Sequence, residues 1–473
     1  MTTALSPDLV RERLASIVGA KHVLTDPHTI EPYLEEPRGL YRGATPCVVA
    51  PKTTAEVAAI LAFANENGLK IVPQGGNTGL VGGQIPSSAG DEIVLSLKRM
   101  DAIREVDPVS DTMTVEAGVT LLRAQEAAEG AGRLFPLSLA AEGSCTIGGN
   151  LSTNAGGTQV IAYGNTRALV LGVEVVLADG RVMNLLGKLR KDNTGYDLKQ
   201  LFIGSEGTLG VITAAVLEMV PRPKAFGTAM VAVENPAGAV ALLEQGKKTF
   251  GKSLTGFELM PRFGLDLVVK HLPGARDPLT DRYDWYVLTE ISSAEEEGVD
   301  EALEAWLGAA MEEGVVLDAV IAGSLDQRAQ LWRLRESMSE VQGIEGGSIK
   351  HDVSVPIASI PEVIDEGIRV AEALIPGIRP VPFGHLGDGN IHFNFSQPVG
   401  ADKDAYIAQW DALNEVVHAV VLAHAGSVSA EHGIGALKRH LLTEVKDPVA
   451  LAVMRSVKTA LDPKGTLNPG KVV

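Results

Sequence analysis

Apolar and polar side chains recur with two different periods along the first part of the chain, and these periods predict helices interleaved with strands. Residues 53–67 carry apolar side chains at helical spacing, and Thr53 with Glu56 forms a capping-box pattern at their start. Strand-like segments follow at residues 70–73, 93–97 and 112–116, and a helical segment at residues 121–129. This mixed pattern predicts an α+β fold.

The pattern changes near a pair of prolines. Residues 170–177 and 181–184 flank an Asp-Gly turn and predict a β-hairpin, and residues 211–220 predict another extended segment. Longer segments rich in Ala, Leu and Glu begin after Pro221 and Pro223, so we expect a domain boundary there. The sequence has no repeat of fixed period, which argues against a solenoid or a propeller.

The composition and charge of the chain exclude several classes of protein. The 473 residues are 45% hydrophobic and 21% charged, as in globular proteins and unlike disordered chains or membrane bundles. A net charge of −18 repels nucleic acid and anionic membranes, so we expect neither as a partner. No apolar run approaches the roughly 20 residues that cross a bilayer, and residues 1–18 lack the apolar core of a secretory signal. Because Cys47 and Cys145 are the only cysteines, we expect a cytoplasmic location.

Three glycine-rich loops are candidates for holding a large ligand. They are residues 73–79, which leave a predicted strand, residues 142–157, and residues 204–210. Successive N–H groups in such loops form a concave anion site that suits a pyrophosphate. The loops contain neither the Gly-Lys-Ser/Thr ending of a nucleoside-triphosphate site nor a G-x-G-x-x-G at a helix start. Tight turns without a ligand are the alternative for each loop taken singly.

Two histidines bracket a turn in residues 384–395. Alternation after the turn puts three apolar side chains on one face and His392 with Asn394 on the other, and the turn can bring His385 back toward them. Converging imidazoles suggest a metal site, whereas a lone histidine is more often a hydrogen-bonded core residue. Glu431 offers a carboxylate as third ligand, and this set leaves open positions on a zinc-like ion.

Arg335, Ser339 and Lys350 offer a guanidinium, a hydroxyl and an ammonium group. Arg335 and Ser339 are four residues apart, so they share a face if they lie on one helix. With Lys350 they could bind a carboxylate of a substrate. A solvated face of salt bridges is the alternative interpretation.

The three loops resemble the FAD-binding domain of the vanillyl-alcohol-oxidase/PCMH flavoproteins, and the likeness spans roughly residues 41–220. This resemblance implies that the first loop holds the FAD pyrophosphate and that the Gly148-Gly149 region lies beside the flavin. Some relatives attach flavin through a loop histidine, which is absent from this loop, so we expect non-covalent FAD. The cofactor-binding residues that the resemblance implies are Pro73, Gly75, Gly76, Asn77, Thr78, Gly79, Gly143, Ser144, Gly148, Gly149, Asn154, Ile212 and Asn468.

The second motif resembles the FAD-linked D-2-hydroxy-acid dehydrogenases, and among them the D-2-hydroxyglutarate dehydrogenases most. It consists of His385-x6-His392 followed by Ser429-Ala430-Glu431-His432-Gly433. The resemblance implies zinc or a similar divalent ion on His385, His392 and Glu431. It also implies a domain order: a helical N-terminal segment (1–40), a two-subdomain PCMH-type FAD-binding domain (41–220), a substrate or cap domain with an antiparallel sheet (221–425), and a C-terminal segment that returns to the FAD domain (426–473).

The chemistry that this family performs suits these side chains. A divalent ion bound by the C2 hydroxyl and C1 carboxylate of a 2-hydroxy acid lowers the hydroxyl pKa, and an unligated imidazole with an ordinary pKa of about 6.5 can take the proton. We assign that role to His432; the alternative is that His432 is a third histidine ligand of the metal. In relatives that act on D-2-hydroxyglutarate, arginine, threonine and lysine bind the distal carboxylate, and Ser339 replaces the threonine here. The substrate-binding residues that follow are Arg335, Ser339, Lys350, Asn394 and His432.

These observations predict an FAD- and metal-dependent dehydrogenase that converts a D-2-hydroxy acid, first of all D-2-hydroxyglutarate, to its 2-oxo acid. Oxidation of D-lactate or glycolate is the alternative within the same class, since the arginine and lysine recur in relatives that use monocarboxylic acids. A flavin-binding electron-transfer subunit without a substrate, and a metal-binding interaction protein without flavin, are alternatives of other classes. An electron-transferring flavoprotein, a cytochrome, a quinone and oxygen all stay open as external acceptor, and we expect a homodimer.

Overall fold

The computed structural model describes residues 5–473 and contains two compact units. The first comprises the described residues up to Gly156, residues 165–222 and residues 431–473, and the second comprises residues 157–164 and 223–430. The described part of the predicted segment 1–40 belongs to the first unit rather than standing alone. Residues 1–4, which open both that segment and the stretch compared with a secretory signal, lie outside the described residues.

The elements alternate between helix and strand. The strands are β1 (Val23–Leu24), β2 (Val48–Val49), β3 (Lys70–Gln74), β4 (Glu92–Ser96), β5 (Ile103–Asp107), β6 (Thr112–Glu116), β7 (Arg133–Leu134), β8 (Val170–Val176), β9 (Val182–Leu185), β10 (Val211–Glu218), β11 (Val220–Pro221), β12 (Ala225–Val233), β13 (Leu254–Pro261), β14 (Trp285–Ser293), β15 (Asp318–Ile321), β16 (Ser348–Ile349), β17 (Asp352–Ser354), β18 (Arg379–His385) and β19 (Asn390–Ser396). The α-helices are α1 (Pro7–Val18), α2 (Pro27–Ile30), α3 (Thr54–Asn67), α4 (Leu121–Gly130), α5 (Ile147–Thr153), α6 (Val160–Tyr163), α7 (Lys199–Phe202), α8 (Pro236–Phe250), α9 (Arg262–His271), α10 (Val299–Glu312), α11 (Leu325–Glu336), α12 (Met338–Val341), α13 (Ile360–Leu374), α14 (Lys403–Ile407), α15 (Trp410–Ala423), α16 (Arg439–Val445) and α17 (Pro448–Leu461). Together they confirm the predicted α+β class.

The first unit is built on two main sheets. The four-stranded sheet has the order β1-β2-β4-β3, with β2 and β3 both parallel to β4. The five-stranded sheet has the order β5-β6-β10-β8-β9 and is antiparallel, and its β8–β9 pair is the predicted hairpin. The C-terminal segment joins this unit through backbone hydrogen bonds between Ile71 and both Thr466 and Asn468.

Helix α3 shows how the sequence sets up the first glycine loop. The Thr53 side chain accepts a hydrogen bond from the Glu56 N–H, and Gly68 ends the helix in the left-handed conformation. Val57, Ile60 and Leu61 are buried in the core of the first unit. The chain then enters β3, so the predicted helix and strand are both confirmed, and the loop begins directly after β3.

The second unit is built on an antiparallel sheet of eight strands, as predicted for the cap domain. Its order is β15-β12-β14-β13-β18-β19-β16, and β17 also pairs with β19. Ile391, Phe393 and Phe395 on β19 belong to the hydrophobic core, which confirms the alternation expected for this strand. In the described residues no helix combines the length and the apolar character that crossing a membrane requires.

Candidate active site

The first glycine loop forms one wall of a cavity in the first unit. The cavity has a volume of about 290 Å³, and all seven residues of the stretch 73–79 line it, together with Gly148 and Gly149. In the part of the chain that the structure describes, the N–H groups of residues 75–79 donate to no protein acceptor. Five successive backbone donors at a cavity are suited to an anionic group such as a pyrophosphate.

Glycine is required where the loops pack against each other. A Cβ atom on Gly76 would lie 2.0 Å from the Ser144 carbonyl oxygen, and one on Gly75 would lie 2.4 Å from Thr146 Oγ1. A Cβ on Gly148 would lie 2.6 Å from the Cβ of Ala117. These distances are shorter than any van der Waals contact, so the first loop can approach the second only because Gly75 and Gly76 lack side chains, and Gly148 can pack against Ala117 for the same reason.

Three buried polar side chains on the same cavity wall were not singled out from the sequence. Gln74 Oε1, Thr146 Oγ1 and Asn150 Nδ2 have no hydrogen-bond partner among the described residues. Unpaired buried polar atoms are costly, and those at a cavity are explained by a bound polar ligand. The residues present therefore fit FAD. Ordinary polar residues within glycine loops give no sequence signal of this kind.

Some of the predicted cofactor-binding residues lie outside the cavity wall. They are Gly143, Ser144, Asn154, Ile212 and Asn468. Asn154 ends α5 in the left-handed conformation, and its Oδ1 accepts a hydrogen bond from the Arg167 N–H. Ile212 is buried in β10, and the Asn468 side chain donates to the carbonyl oxygens of Gly83 and Glu206. The side chains of Asn154 and Asn468 thus connect neighbouring loops, and Ile212 belongs to the core.

Glu431 and His432 also line the cavity of the first unit, and Glu206 fixes the segment that follows them. The Glu206 carboxylate accepts the N–H groups of Ile434 and Gly435, both at 2.8 Å. Burial raises the pKa of Glu206, and the two backbone hydrogen bonds partly offset that effect. Glu206 lies in the glycine-rich loop 204–210, where no sequence motif marks this role of its carboxylate.

His385 and His392 come together in the second unit, as the predicted turn requires. They lie on β18 and β19, which pair antiparallel so that Phe383 is opposite His392. The two imidazole centroids are 5.4 Å apart. The rings therefore lie at a separation that allows both to bind one ion.

The residue before Glu431 is held beside the strands of these histidines by the backbone of the second unit. The Ala430 N–H donates to the Asp352 carbonyl oxygen at 3.3 Å, and Asp352 is directly opposite His392 in the β17–β19 pair. Glu431 is the next residue of the chain. His385, His392 and Asp352 belong to the second unit, and Glu431 and His432 open the last segment of the first unit. Asp352, which no sequence motif marks, is a further carboxylate on the strand pair that carries His392.

His385 is also bound by a buried carboxylate from another strand. Its Nδ1 lies 2.7 Å from Glu258 Oε1, and Glu258 Oε2 accepts a hydrogen bond from Arg335 Nε at 2.7 Å. Burial alone would raise the pKa of Glu258, but the charges and hydrogen bonds of His385 and Arg335 outweigh it and lower the pKa well below its usual range. Glu258 is therefore an anion that joins the predicted metal ligand to the predicted substrate-binding arginine.

Arg335 and Ser339, two of the three predicted carboxylate-binding residues, do not lie on one helix. Helix α11 ends at Glu336 and α12 begins at Met338, so Arg335 and Ser339 lie on successive helices. Lys350 Nζ donates to the Ser339 Oγ at 2.9 Å and to its carbonyl oxygen at 2.8 Å. Asn394, the other predicted substrate contact, is buried on β19.

Comparison with known proteins places the chain in a family. A model of FAD binding domains matches residues 45–186, and a model of the C-terminal domains of FAD linked oxidases matches residues 222–472. The mitochondrial D-2-hydroxyglutarate dehydrogenase of Arabidopsis thaliana is 39% identical over 462 residues, which cover 97% of this chain and 80% of that protein. The chain belongs to the FAD-linked D-2-hydroxy-acid dehydrogenases.

Other relatives agree with this assignment. The D-2-hydroxyglutarate–pyruvate transhydrogenase of Saccharomyces cerevisiae is 35% identical to this chain. The match covers 92% of this chain and 87% of the yeast protein. Substrate-bound p-cresol methylhydroxylase shares the fold, with a TM-score of 0.77 and 18% identity over 98% of this chain and 96% of its own. The dehydrogenase is thus an FAD-dependent enzyme, which excludes both the electron-transfer subunit without a substrate and the metal-binding protein without flavin.

Proposed function

We propose that this dehydrogenase oxidises D-2-hydroxyglutarate to 2-oxoglutarate, using non-covalent FAD and a divalent metal ion, with zinc as the first candidate. The observation that carries the proposal is the pair of imidazoles of His385 and His392, whose ring centroids lie 5.4 Å apart, and Glu431 would supply the third ligand. Such a set leaves coordination positions open for a substrate. The names of the relatives supply the substrate, since the similar plant and yeast proteins are both named for D-2-hydroxyglutarate.

The first unit would hold the cofactor. The five N–H groups of residues 75–79 would bind the pyrophosphate, and Gln74, Thr146 and Asn150 would satisfy other polar atoms of FAD. When bound, FAD supplies an acceptor for the hydride that leaves C2 of the substrate. The loop of residues 73–79 contains no histidine to which the flavin could be attached, which supports a non-covalent complex.

The second unit, with Glu431, would hold the metal. His385 and His392 would each contribute a ring nitrogen and Glu431 an oxygen atom. The fit is supported by Glu258, because ligating histidines commonly bind a carboxylate through their other nitrogen. When bound, the ion lowers the pKa of the substrate's C2 hydroxyl and orients its C1 carboxylate.

His432 would take the hydroxyl proton, since it lies on the cavity wall next to Glu431 in the chain. Arg335 is suited to the distal carboxylate because its Nη2 is buried and has no hydrogen-bond partner among the described residues. Lys350, oriented by Ser339, and Asn394 would complete the substrate contacts. Loss of one proton and one hydride converts the C2 alcohol to a ketone, which balances the reaction.

Three further parts of the proposal concern the surroundings of the enzyme. Electrons must pass from the reduced cofactor to an external acceptor, and we propose an electron-transferring flavoprotein over a cytochrome, a quinone or oxygen. We also propose a homodimer and keep the cytoplasm as the expected compartment, whereas the named plant relative is mitochondrial. Acceptor exchange in the assay, light scattering and cell fractionation would check these three points.

The test of the proposed function is turnover of the purified protein with an artificial dye acceptor. D-2-Hydroxyglutarate, D-lactate and glycolate would be compared before and after removal of metal, with metal content measured in each sample. We expect the highest kcat/KM for D-2-hydroxyglutarate, loss of turnover without metal, and recovery on adding Zn²⁺. A higher kcat/KM for D-lactate or glycolate would contradict the substrate, and undiminished turnover of metal-free protein would contradict the metal.

A further inference from the structure

Glu258 lies between a proposed metal ligand, His385, and a proposed substrate-binding residue, Arg335, although no sequence motif includes it. It lies on β13, directly opposite His385 on β18, and its side chain is 1% exposed. One carboxylate oxygen is 2.7 Å from His385 Nδ1, and the other accepts the Arg335 Nε–H at 2.7 Å. A single buried carboxylate therefore contacts a proposed metal ligand and a proposed substrate-binding group at once.

The contact with His385 selects one nitrogen for the metal. A carboxylate at Nδ1 stabilises the tautomer with the proton on Nδ1, so the metal-binding nitrogen that we assign is Nε2. Because the two residues are a cross-strand pair, the strand register brings the carboxylate beside the imidazole, and the contact between them restrains the orientation of the ring. Ring orientation and ligand basicity both affect how tightly an ion binds.

The contact with Arg335 orients the guanidinium. Binding through Nε places the remaining nitrogens of the fork in a fixed direction, and Nη2 is buried without a partner among the described residues. The guanidinium also lies over the Phe383 ring, with 4.7 Å between its central carbon and the ring centroid. Phe383 in turn contacts His392, with ring centroids 5.2 Å apart. Arg335 is thus packed against the strand pair that carries the histidines.

We propose that Glu258 is a positioning residue of the active site, which holds His385 for the metal and Arg335 for the distal carboxylate of the substrate. This inference rests on the proposed function. It predicts that binding of the metal and selection of a dicarboxylate are linked through one side chain. A residue that only neutralised a buried arginine would affect neither metal affinity nor substrate choice once the protein is folded.

A second buried carboxylate in the same sheet provides a matched control. Glu290 on β14 accepts two hydrogen bonds from Arg328, one from Trp332 and one from Thr228. Glu290 is buried like Glu258 and also pairs with an arginine, but among the described residues its carboxylate bonds to Arg328, Trp332 and Thr228 and to none of the proposed metal ligands. Replacement of each glutamate by glutamine therefore removes the same charge, and only Glu258→Gln affects the proposed site.

The experiment is a titration of metal-free full-length protein with Co²⁺, followed by visible absorption, for wild type, Glu258→Gln and Glu290→Gln. We expect Glu258→Gln to bind Co²⁺ about 10- to 100-fold more weakly and to give an altered spectrum. Metal affinity commonly falls by this amount when a carboxylate that binds a ligating histidine is removed. Glu290→Gln should match the wild type in affinity and spectrum. In the dye assay with metal at saturation, the ratio of kcat/KM for D-2-hydroxyglutarate to that for D-lactate should fall in Glu258→Gln alone.

The outcomes separate the two claims. Equal Co²⁺ affinity and an equal spectrum in wild type and Glu258→Gln would overturn the inference and leave the proposed function intact. Wild type that takes up no Co²⁺, or an unchanged affinity in His392→Ala, would overturn the proposed metal site and the inference with it. If Glu258→Gln does not fold, Glu258→Asp keeps the charge but is one methylene shorter, so weaker Co²⁺ binding would support the positioning role and unchanged binding would contradict it.

Discussion

The two binding regions of the molecule are built from different parts of the chain. In the cavity of the first unit the donors are backbone N–H groups of residues 75–79, and glycines allow the loops to meet. In the second unit the groups are side chains, with Glu258 and His385 on neighbouring strands and Arg335 on helix α11, and Glu258 binds both of the others. The first region is sensitive to added atoms, and the second is sensitive to lost or misplaced functional groups.

This difference has a physical cause. A long polar cofactor needs many donors along a path, and backbone groups supply them wherever side chains are small. A metal and a substrate carboxylate need a few strong ligands at fixed angles, which paired strands and buried hydrogen bonds provide. We therefore expect added side-chain atoms to impair binding in the first region, and lost or displaced functional groups to impair binding in the second.

The largest effect should come from Gly76→Ala. The new Cβ would lie 2.0 Å from the Ser144 carbonyl oxygen, a backbone atom, so the loops must separate. We expect the purified variant to lose bound FAD, measured by flavin absorption after gel filtration. Gly130→Ala is the control, because its Cβ would meet no atom within 4 Å at the end of α4. Full FAD content in Gly76→Ala would show that the loop packing does not matter.

His392→Ala should abolish the metal site while FAD remains. Removal of a ligand is expected to lower metal affinity and turnover by more than the roughly 10- to 100-fold seen when only a supporting residue is removed. Elemental analysis of the yellow protein and the dye assay would measure both. His28→Ala, on the exposed surface, is the control for metal bound elsewhere. Retention of stoichiometric metal in His392→Ala would refute the ligand assignment.

His432→Ala distinguishes a base from a ligand. Removal of a general base lowers kcat by about 10²- to 10⁴-fold, and the metal content should stay equal to that of the wild type. A simultaneous loss of metal would instead favour the alternative in which His432 is a third histidine ligand. Unchanged turnover would exclude both roles.

Arg335→Lys should change the choice of substrate more than the chemistry. Lysine keeps the charge but lacks the planar fork, and a lost hydrogen bond to a charged group costs about 1.5–3 kcal/mol. The ratio of kcat/KM for D-2-hydroxyglutarate to that for D-lactate should therefore fall about 10- to 100-fold. Arg328→Lys, which changes a partly buried arginine that pairs with Glu290, should leave that ratio unchanged.

The smallest expected effect is on the free energy of unfolding, at Glu345, which belongs to neither binding region. Lys270, His271 and Arg379 hydrogen-bond to Glu345 and lower its pKa to about 2. The folded-state pKa is below the unfolded value, so this group stabilises the fold above pH about 4.5, and its contribution is lost as the pH falls toward 2. Glu345→Gln should cost roughly 1–2 kcal/mol in urea unfolding at pH 7 and less at pH 3, after allowance for solvent screening. A cost that is equal at both pH values would contradict the assignment.

The sequence predicted those features whose signals are local. Helix α3, the β8–β9 hairpin and the turn between β18 and β19 follow from caps, alternation and turn residues within a few positions. Glu258 was missed because 127 residues separate it from His385, and only the register of β13 on β18 brings the two together. Arg335 and Ser339 would share a face only on one helix, and the break at Ser337 that separates their helices has no distinct signature in the sequence.

The most direct measurement of the central claim is flavin reduction by D-2-hydroxyglutarate without any acceptor, in rapid mixing of metal-free and Zn²⁺-reloaded protein. Both samples contain FAD, so the flavin band reports the transfer of electrons from substrate in a single turnover. We predict rapid bleaching in the reloaded protein and bleaching at least about 100-fold slower in the metal-free protein. Equal rates in the two samples would contradict the claim that a metal held by His385, His392 and Glu431 prepares the substrate for oxidation.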